Sequence, residues 1–440
     1  MEKKLPKNWV ETELGNYVAL KNGYAFKSTD FQSEGIPVIR ISNIQEGKID
    51  LNYSICVDAS KAKKDFIINR GDILIAMSGA TTGKFGVYNL DEISLQNQRV
   101  GNLKPVVEEL SNKMFIYYLL GNLREEIEQR AYGGAQPNIS PKLIESIVIN
   151  LPPLSEQNRI VEKLDRFFGQ LEVIKTSMEK IPVLLKNFRQ QVLTQAVTGK
   201  LTEEWREGKE LEEWKTERLG DVCNLKAGKF VSASEIQNEN QEGYFSCYGG
   251  NGLRGFVKSY THTGRYSLIG RQGALCGNVH LVEGQFYATE HALVATPTLD
   301  IDEVWLFYKL TSLELINYSK GVAQPGLSVM NLNPILLSVP GIKEQKEIVS
   351  RLESLFAKAD TIEEKYKNLK AKIETLPQTI LHKAFKGELS EQLETDGDAR
   401  DLLEEIAALK NGGKAKKVVS KKYVQPDEVL RIVAEADATE

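Results

Sequence analysis

The chain has 440 residues, with 56 Lys and Arg against 60 Asp and Glu, for a formal net charge of −4. That length accommodates two or three cores, and the slightly acidic balance excludes a generic nucleic-acid coat while leaving room for a local basic groove. No apolar run of membrane-spanning length and no secretory signal pattern appears, and Cys56, Cys223, Cys247 and Cys276 form no C-x-x-C pair, so a cytoplasmic protein with reduced, partly buried thiols is expected.

Residues 1–153 read as a compact α+β domain. Residues 36–41 and 72–77 are short β-rich runs between Gly and Asn turn signals. Residues 114–130 place Phe115, Tyr118, Leu119, Leu123 and Ile127 at helical spacing. A last strand over 147–149 is stopped by Pro152 and Pro153. A long helix over 154–201 follows, with Ser155 ahead of Glu156 and Gln157 as its N-cap. A charged connector over 202–213 opens a second domain, 202–340, richer in Gly and aromatics and expected to hold more β structure. A second long helix covers 341–390. The tail, 391–440, has one short helix over 399–409, then a Gly-Gly, Lys-rich linker and an acidic end.

The two helices carry the strongest pattern. Ile160, Leu164, Phe167, Leu171, Ile174, Met178, Ile181, Leu185, Phe188 and Val192 alternate at steps of four and three without a slip. Ile348, Leu352, Leu355, Ala359, Ile362, Tyr366, Leu369, Ile373, Leu376 and Ile380 repeat them, each 188 residues later. Such a seam is made to lie against a partner helix, and the matched copy supplies one within the chain. Pro182 and Pro377 fall inside the helices at non-equivalent places, so each helix is expected to bend or break there. Gly199 and Gly387 mark the ends.

The repeat reaches beyond the helices. Ala135-Gln136-Pro137 recurs as Ala323-Gln324-Pro325, Glu156-Gln157 as Glu344-Gln345, and Gly199-Lys200-Leu201 as Gly387-Glu388-Leu389, all at that same offset. Trp9 through Leu14-Gly15 recurs as Trp214 through Leu219-Gly220, 205 residues on. The chain is a duplication with similar frames and two different inserts.

Catalytic motifs are absent or incomplete. Gly250-Asn251-Gly252-Leu253-Arg254-Gly255 fits G-x-G-x-x-G, but Phe256-Val257-Lys258 opens no helix, so the stretch reads as a glycine turn. Gly79-Ala80-Thr81-Thr82-Gly83-Lys84 is one residue short of a P-loop and lacks its Ser/Thr. His262, His280, His291 and His382 are not at metal-ligand spacing. Leu151-Pro152-Pro153-Leu154 has neither the acid or amide nor the aromatic of a base-amino methyltransferase motif. The chain is therefore expected to be non-catalytic and to bind neither cofactor nor metal.

Polar side chains decorate the inserts instead. In the first they are Lys21, Lys27, Arg40, Ser42, Asn43, Ser78, Lys84, Gln96, Asn97, Gln98 and Arg99. In the second they are Lys226, Lys229, Tyr248, Asn251, Arg254, Arg271, Gln272, Asn278 and His291. Arg, Asn and Gln can pair with guanine and adenine edges, which makes these residues candidate contacts to double-stranded DNA. Residues 12–150 hold 15 Lys and Arg against 16 Asp and Glu, so DNA binding by the chain alone should be modest.

The strand ending in Leu151-Pro152-Pro153-Leu154-Ser155-Glu156-Gln157, the heptad helix, its close at Ala196-Val197-Thr198-Gly199-Lys200-Leu201-Thr202 and the second copy of each resemble the specificity subunit of type I restriction-modification enzymes. The second copy runs from Val339-Pro340-Gly341-Ile342-Lys343-Glu344-Gln345 to Ala384-Phe385-Lys386-Gly387-Glu388-Leu389. The resemblance covers nearly the whole chain up to about residue 390. It implies two α+β target recognition domains joined by two long antiparallel helices in an intramolecular coiled coil, with pseudo-twofold repetition. Each domain would read one half of a bipartite asymmetric DNA site, and the helices would set the spacing. It also implies two modification subunits, which bind S-adenosylmethionine and methylate adenine, and two restriction subunits, with ATP and Mg held by partners. From Ile160 to Val192 an unbroken helix spans about 48 Å, a length suited to such a ruler. The competing class is a coiled-coil scaffold that binds protein partners. Duplication of a frame with diversified inserts argues against it.

Overall fold

The computed structural model describes residues 5–45, 47–52, 54–131, 137–273, 275–319 and 326–412. The chain forms two compact units divided after Ile174 and after Ala371, inside the long helices. Each unit therefore holds the start of one helix and the end of the other.

The first unit contains two five-stranded sheets. One runs in the order Phe31–Gln32, Ile55–Val57, Ile36–Ile39, Ser94–Gln96, Ile67–Ile68, and the other Val18–Asn22, Val100–Pro105, Ile73–Ala76, Phe85–Val87, Gly47–Lys48. Ile73–Ala76 is buried along its whole length, which is why its sequence is apolar without alternation. Ile39, Ile44, Ile68, Leu74, Tyr88 and Val100 form a core of their own. A helix, α1 (Lys113–Ala131), sets Phe115, Leu119, Leu123 and Ile127 into the main core of the unit. Val10–Glu13 pairs antiparallel with Val148–Leu151, so the start of the domain lies beside the strand that precedes the first long helix.

That helix comes in two pieces, α2 (Leu154–Glu179) and α3 (Ile181–Val197), with Lys180 between them. Pro182 is in the first turn of α3, where its missing N–H has no intrahelical partner to lose. The expected cap moves too. The amides of Glu156 and Gln157 both donate to Pro153 O (3.0 Å), so Pro153 takes the cap position and Ser155 is already helical.

The second unit has one six-stranded sheet, in the order Cys223–Ala227, Ala292–Pro297, His262–Gly270, Val279–Ala288, Phe245–Gly249, Gly252–Val257. The Gly250 to Gly255 stretch is the tip and start of a hairpin strand, with Gly249 opposite Gly252. Lys215–Arg218 pairs with Leu336–Val339, the counterpart of the two-stranded ladder in the first unit. A helix, α4 (Glu303–Ser312), is capped by Asp302, whose Oδ1 accepts from the amides of Val304 (3.0 Å) and Trp305 (2.9 Å).

The second long helix, α5 (Ile342–Phe385), does not break at Pro377. One backbone hydrogen bond is lost, costing roughly 3 kcal/mol. Ile373, Leu381, Ala384 and Phe385 stay buried on either side and hold the helix together. In the second unit α3 and the start of α5 run antiparallel: Arg189 pairs with Asp360 and Glu363, Arg351 reaches Leu201 O, and Thr202 reaches Glu344. In the first unit Ile160 and Leu164, near the start of α2, share a core with Leu381, Ala384 and Phe385 at the end of α5.

Most of the seam is covered. Leu164, Leu171, Met178, Leu185, Val192, Leu352, Ala359 and Ile373 are buried, with Tyr366 and Ile380 partly so. In the alternate series Ile160 and Ile348 are buried at the helix starts, and Ile181 and Leu355 are partly buried. Phe167, Ile174, Phe188, Ile362, Leu369 and Leu376 are 36–50% exposed.

A buried carboxylate ties each unit together. Glu156 is fully buried; its Oε2 accepts from Trp9 Nε1 (2.8 Å) and its Oε1 from Ser390 Oγ (2.7 Å) and Gln392 Nε2 (2.9 Å). In the second unit Glu344 Oε2 accepts from Trp214 Nε1 (3.0 Å), and Oε1 accepts from Thr202 Oγ1 (2.6 Å) with Arg206 Nε 3.4 Å away. The next residue anchors the turn into the helix. Gln157 Nε2 donates to Pro152 O (3.0 Å) and Gln345 Nε2 to Pro340 O (2.8 Å).

The connector after residue 201 is thus part of the second unit's structure, and the segment after 390 is part of the first. Arg159 forks onto Asp396 at 2.5 and 2.6 Å and holds that carboxyl below the usual carboxylate range. A last helix, α6 (Ala399–Lys410), places Leu402 and Ile406 in the first unit's core, and Ala399 N donates to Asn8 O. Gly199 and Gly387, at φ +79° and +70°, end the long helices. The Lys-rich linker and acidic end lie outside the described residues, as do Ala135-Gln136 and Ala323-Gln324-Pro325 of the repeat. All four cysteines are buried and free, and burial pushes the Cys223 thiol up to about 12. Among the described residues no helix is long and apolar enough to cross a membrane.

Glu156→Ala should destabilise the first unit by about 3 kcal/mol, because it strands buried donors that a charged acceptor had satisfied. Glu344→Ala should do the same in the second. Urea unfolding gives the loss, and hydrogen exchange locates it to the one unit.

Candidate nucleic-acid interface

In the first unit the candidate residues gather where strand ends and loops meet. Ile36–Ile39 and Ser94–Gln96 run parallel, so Arg40 and Asn97 leave the sheet side by side, with Asn97 N donating to Ile39 O (3.1 Å). Met77 N donates to Arg99 O (3.0 Å), which brings Ser78 next to the same turn. Tyr24 N donates to Gln96 O (2.8 Å), adding the end of the strand that carries Lys21. Lys27 lies further along that connection, and Ser42 is in a one-turn helix, Ile41–Asn43.

Their surroundings separate them into two kinds. Asn43 is buried, with Nδ2 donating to Asp50 O (3.0 Å) and Ser54 Oγ (3.1 Å) and Oδ1 accepting from Arg40 N. Gln96 is buried, with Nε2 donating to Lys21 O (2.7 Å) and Val100 O (2.8 Å). Both side chains hold loops together. Lys21, Lys27, Ser42, Gln98 and Arg99 are exposed, and Arg40, Ser78, Lys84 and Asn97 are partly so.

The second unit gathers Tyr248 and Asn251 at its hairpin, Arg271, Gln272 and Asn278 in one loop, and His291 at a strand end. Arg254 is on the second hairpin strand, its Cδ within 2.6 Å of where a Cβ on Gly249 would be. Lys226 and Lys229 are exposed near the start of the domain. Lys21, Lys27, Arg40, Lys84, Arg99, Lys226, Lys229, Arg254 and Arg271 form no ion pair with a carboxylate among the described residues. Most arginines elsewhere, such as Arg130, Arg159 and Arg189, are paired with carboxylates.

The two inserts share a backbone scheme that their sequences conceal. In the first unit Gly83 N donates to Ala76 O, Ala76 N to Lys84 O, Met77 N to Arg99 O and Ile139 N to Met77 O. In the second Gly277 N donates to Gly270 O, Gly270 N to Asn278 O, Arg271 N to His291 O and Leu327 N to Arg271 O. Asn97 N to Ile39 O and Tyr24 N to Gln96 O likewise match Thr289 N to Tyr248 O and Lys229 N to Ala288 O. The loops 77–84 and 271–278 are therefore equivalent. Each turns on two glycines, Gly79 and Gly83 or Gly273 and Gly277, at φ between +78° and +90°, which a side chain would strain. Ser78 corresponds to Gln272, Lys84 to Asn278 and Arg99 to His291. The first loop leads into strand Phe85–Val87 and not a helix, so it lacks the helix N-terminus of a P-loop.

Tyr24, Met77, Thr289 and Glu290 share this arrangement and were not singled out from the sequence. The signal was there: Gly79-Ala80 and Gly83 recur as Gly273-Ala274 and Gly277 at an offset of 194. Buried polar atoms without a hydrogen-bond partner also collect nearby, namely Arg40 Nε and Ser78 Oγ in the first unit and His280 Nε2, Thr289 Oγ1 and Glu290 Oε2 in the second. Among the described residues no group of His, Cys, Asp and Glu is placed to hold a metal ion.

Gln96→Ala should cost about 2 kcal/mol of stability through two lost hydrogen bonds. Gln98→Ala, on an exposed neighbour, should stay within about 0.5 kcal/mol. Urea unfolding of the two variants distinguishes loop support from free surface.

The family described as type I restriction modification DNA specificity domain matches residues 6–183 and 211–371. The chain is 31% identical to the EcoKI specificity subunit of Escherichia coli K12 over 95% of its own length and 99% of that protein. It is 31% identical to the EcoprrI specificity subunit of Escherichia coli over 78% and 87%. Its fold is similar to the HsdS subunit of Thermoanaerobacter tengcongensis, with a TM-score of 0.63 at 18% identity, covering 88% of this chain and 99% of that one. A chain from a structure on complex assembly and conformational transition of the type I R-M system gives 0.64 at 19% identity, with 88% and 100% covered.

Proposed function

The chain belongs to the type I restriction-modification DNA specificity family, and from that membership we propose that each of its domains reads one half of a bipartite asymmetric DNA target. The observation that carries this is the shared loop scheme. Both units hold the same backbone arrangement, with different polar side chains at Ser78 and Gln272, Lys84 and Asn278, Arg99 and His291. A frame that stays fixed while its side chains change suits two readers of different sequences.

The basic residues without ion pairs supply phosphate contacts that place each loop in register. The six exposed seam residues, Phe167, Ile174 and Leu376 in the first unit and Phe188, Ile362 and Leu369 in the second, offer apolar surface to two modification subunits. Two restriction subunits complete the assembly. S-adenosylmethionine, ATP and Mg would be held by those partners, and this chain serves recognition without turnover of its own, in the cytoplasm.

Replacing residues 12–150 by the equivalent segment of a relative should change one half of the methylated sequence and leave the other. Genome-wide methylation mapping of the exchanged system reads this directly, and a change in both halves would sink the assignment. Four residues inserted near Ile174 add about 6 Å and about 40° of helix rotation. A base pair adds about 3.4 Å of rise and about 35° of twist. Rotation decides, because a domain facing the wrong side of the duplex loses its groove. The same mapping should show both half-sites retained and the gap one base pair longer; an unchanged gap with full activity would mean that the helices are not the ruler.

A further inference from the structure

Gln272 occupies the loop turned by Gly273 and Gly277, and it is exposed. Its amide is held: His291 Nδ1 lies 3.2 Å from Gln272 Oε1, and His291 Nε2 lies 3.2 Å from Glu290 Oε1. The backbone beneath is locked as well, with Arg271 N donating to His291 O (2.9 Å) and Leu327 N to Arg271 O (2.9 Å). Of the candidate DNA contacts among the described residues, Gln272 and His291 are the pair whose exposed side chains hydrogen-bond each other, and Gln272 is the amide of the two.

The chemistry of that arrangement is selective. With the hydrogen of His291 on Nδ1, Gln272 Oε1 accepts one bond and keeps a second lone pair, and the amide nitrogen brings two hydrogens. One acceptor beside one donor is the pattern that matches N6 and N7 of adenine in the major groove. A glutamine already held loses less rotamer freedom on binding than a free one, so more of the pairing appears as discrimination. Arg271 beside it has no ion pair and can take the adjacent phosphate.

We propose that Gln272 reads an adenine in the half-site of the second domain, with His291 and Glu290 as positioning residues. This rests on the reading above that each domain recognises one half-site.

Methylation sites are mapped in cells carrying all subunits with the unaltered chain, Gln272→Ala, His291→Ala, His291→Asn, or a chain whose residues 202–340 come from a relative with another target. Gln272→Ala should relax one A·T position in one half-site, lowering the matched-to-mismatched ratio about tenfold to hundredfold. The other half-site and the gap stay as they were. His291→Ala should lower the ratio at the same position by less, and His291→Asn, which keeps a side-chain hydrogen-bonding group, should recover part of it. Co-purification with the modification subunit verifies that each variant folds and assembles. With assembly intact, no change, an equal loss at every position, or relaxation at a G·C position overturns the proposal. If the domain exchange moves one half-site while Gln272→Ala moves nothing, the adenine assignment alone fails. If the exchange also leaves both half-sites unaltered, the half-site reading itself has failed.

Discussion

Two buried carboxylates decide how this chain closes. Glu156 and Glu344 are both essentially out of water, where an ionised group is tolerated only with hydrogen bonds on its oxygens. Each takes them from two distant segments: a tryptophan at the start of its own domain, and the residues that follow the glycine stop of a long helix. The first turn of each helix is thereby fixed to a domain entrance and to a helix exit at once. In the first unit the exit belongs to α5, so residues 390–410 complete a domain that begins at the other end of the chain.

The helices that follow from these anchors cover most of their apolar seam. Leu164, Leu171, Met178, Leu185 and Val192 are buried, while Phe167, Ile174 and Phe188, one step along the same heptads, stay 36–45% exposed. A pair of helices without further layers encloses a narrow stripe, and residues at its margin remain open unless another chain covers them. The same is true of Ile362, Leu369 and Leu376 on α5. Fourteen of the twenty seam residues are wholly or partly covered, and six stay exposed.

At the loops the backbone carries the architecture and the side chains are released from it. The bonds that define 77–84 and 271–278 run between main-chain groups, so the scheme is the same whether Ser or Gln, Lys or Asn, Arg or His stands there. The glycines at the turns have no such freedom, because left-handed φ is costly for other residues. A buried amide such as Gln96 has none either, since two carbonyls depend on it.

Much of this was legible in the chain. Heptad spacing over Ile160 to Val192 and Ile348 to Ile380 dictates two helices whatever surrounds them, because period alone puts those residues on one face. The 188-residue repeat of Glu156-Gln157, and the glycines at 199 and 387, determined the duplication and the helix ends. Tertiary structure decided the rest. Pro182 opens a new helix while Pro377 is carried through, since burial of Ile373, Leu381 and Phe385 outweighs one lost hydrogen bond, and no propensity records that balance. Asn43 and Gln98 look alike as polar loop residues, yet one is buried and bonded and the other is exposed. The role of Glu156 needed the fold most of all, because its partners Trp9 and Ser390 lie far from it along the chain and only packing brings donors to that carboxylate.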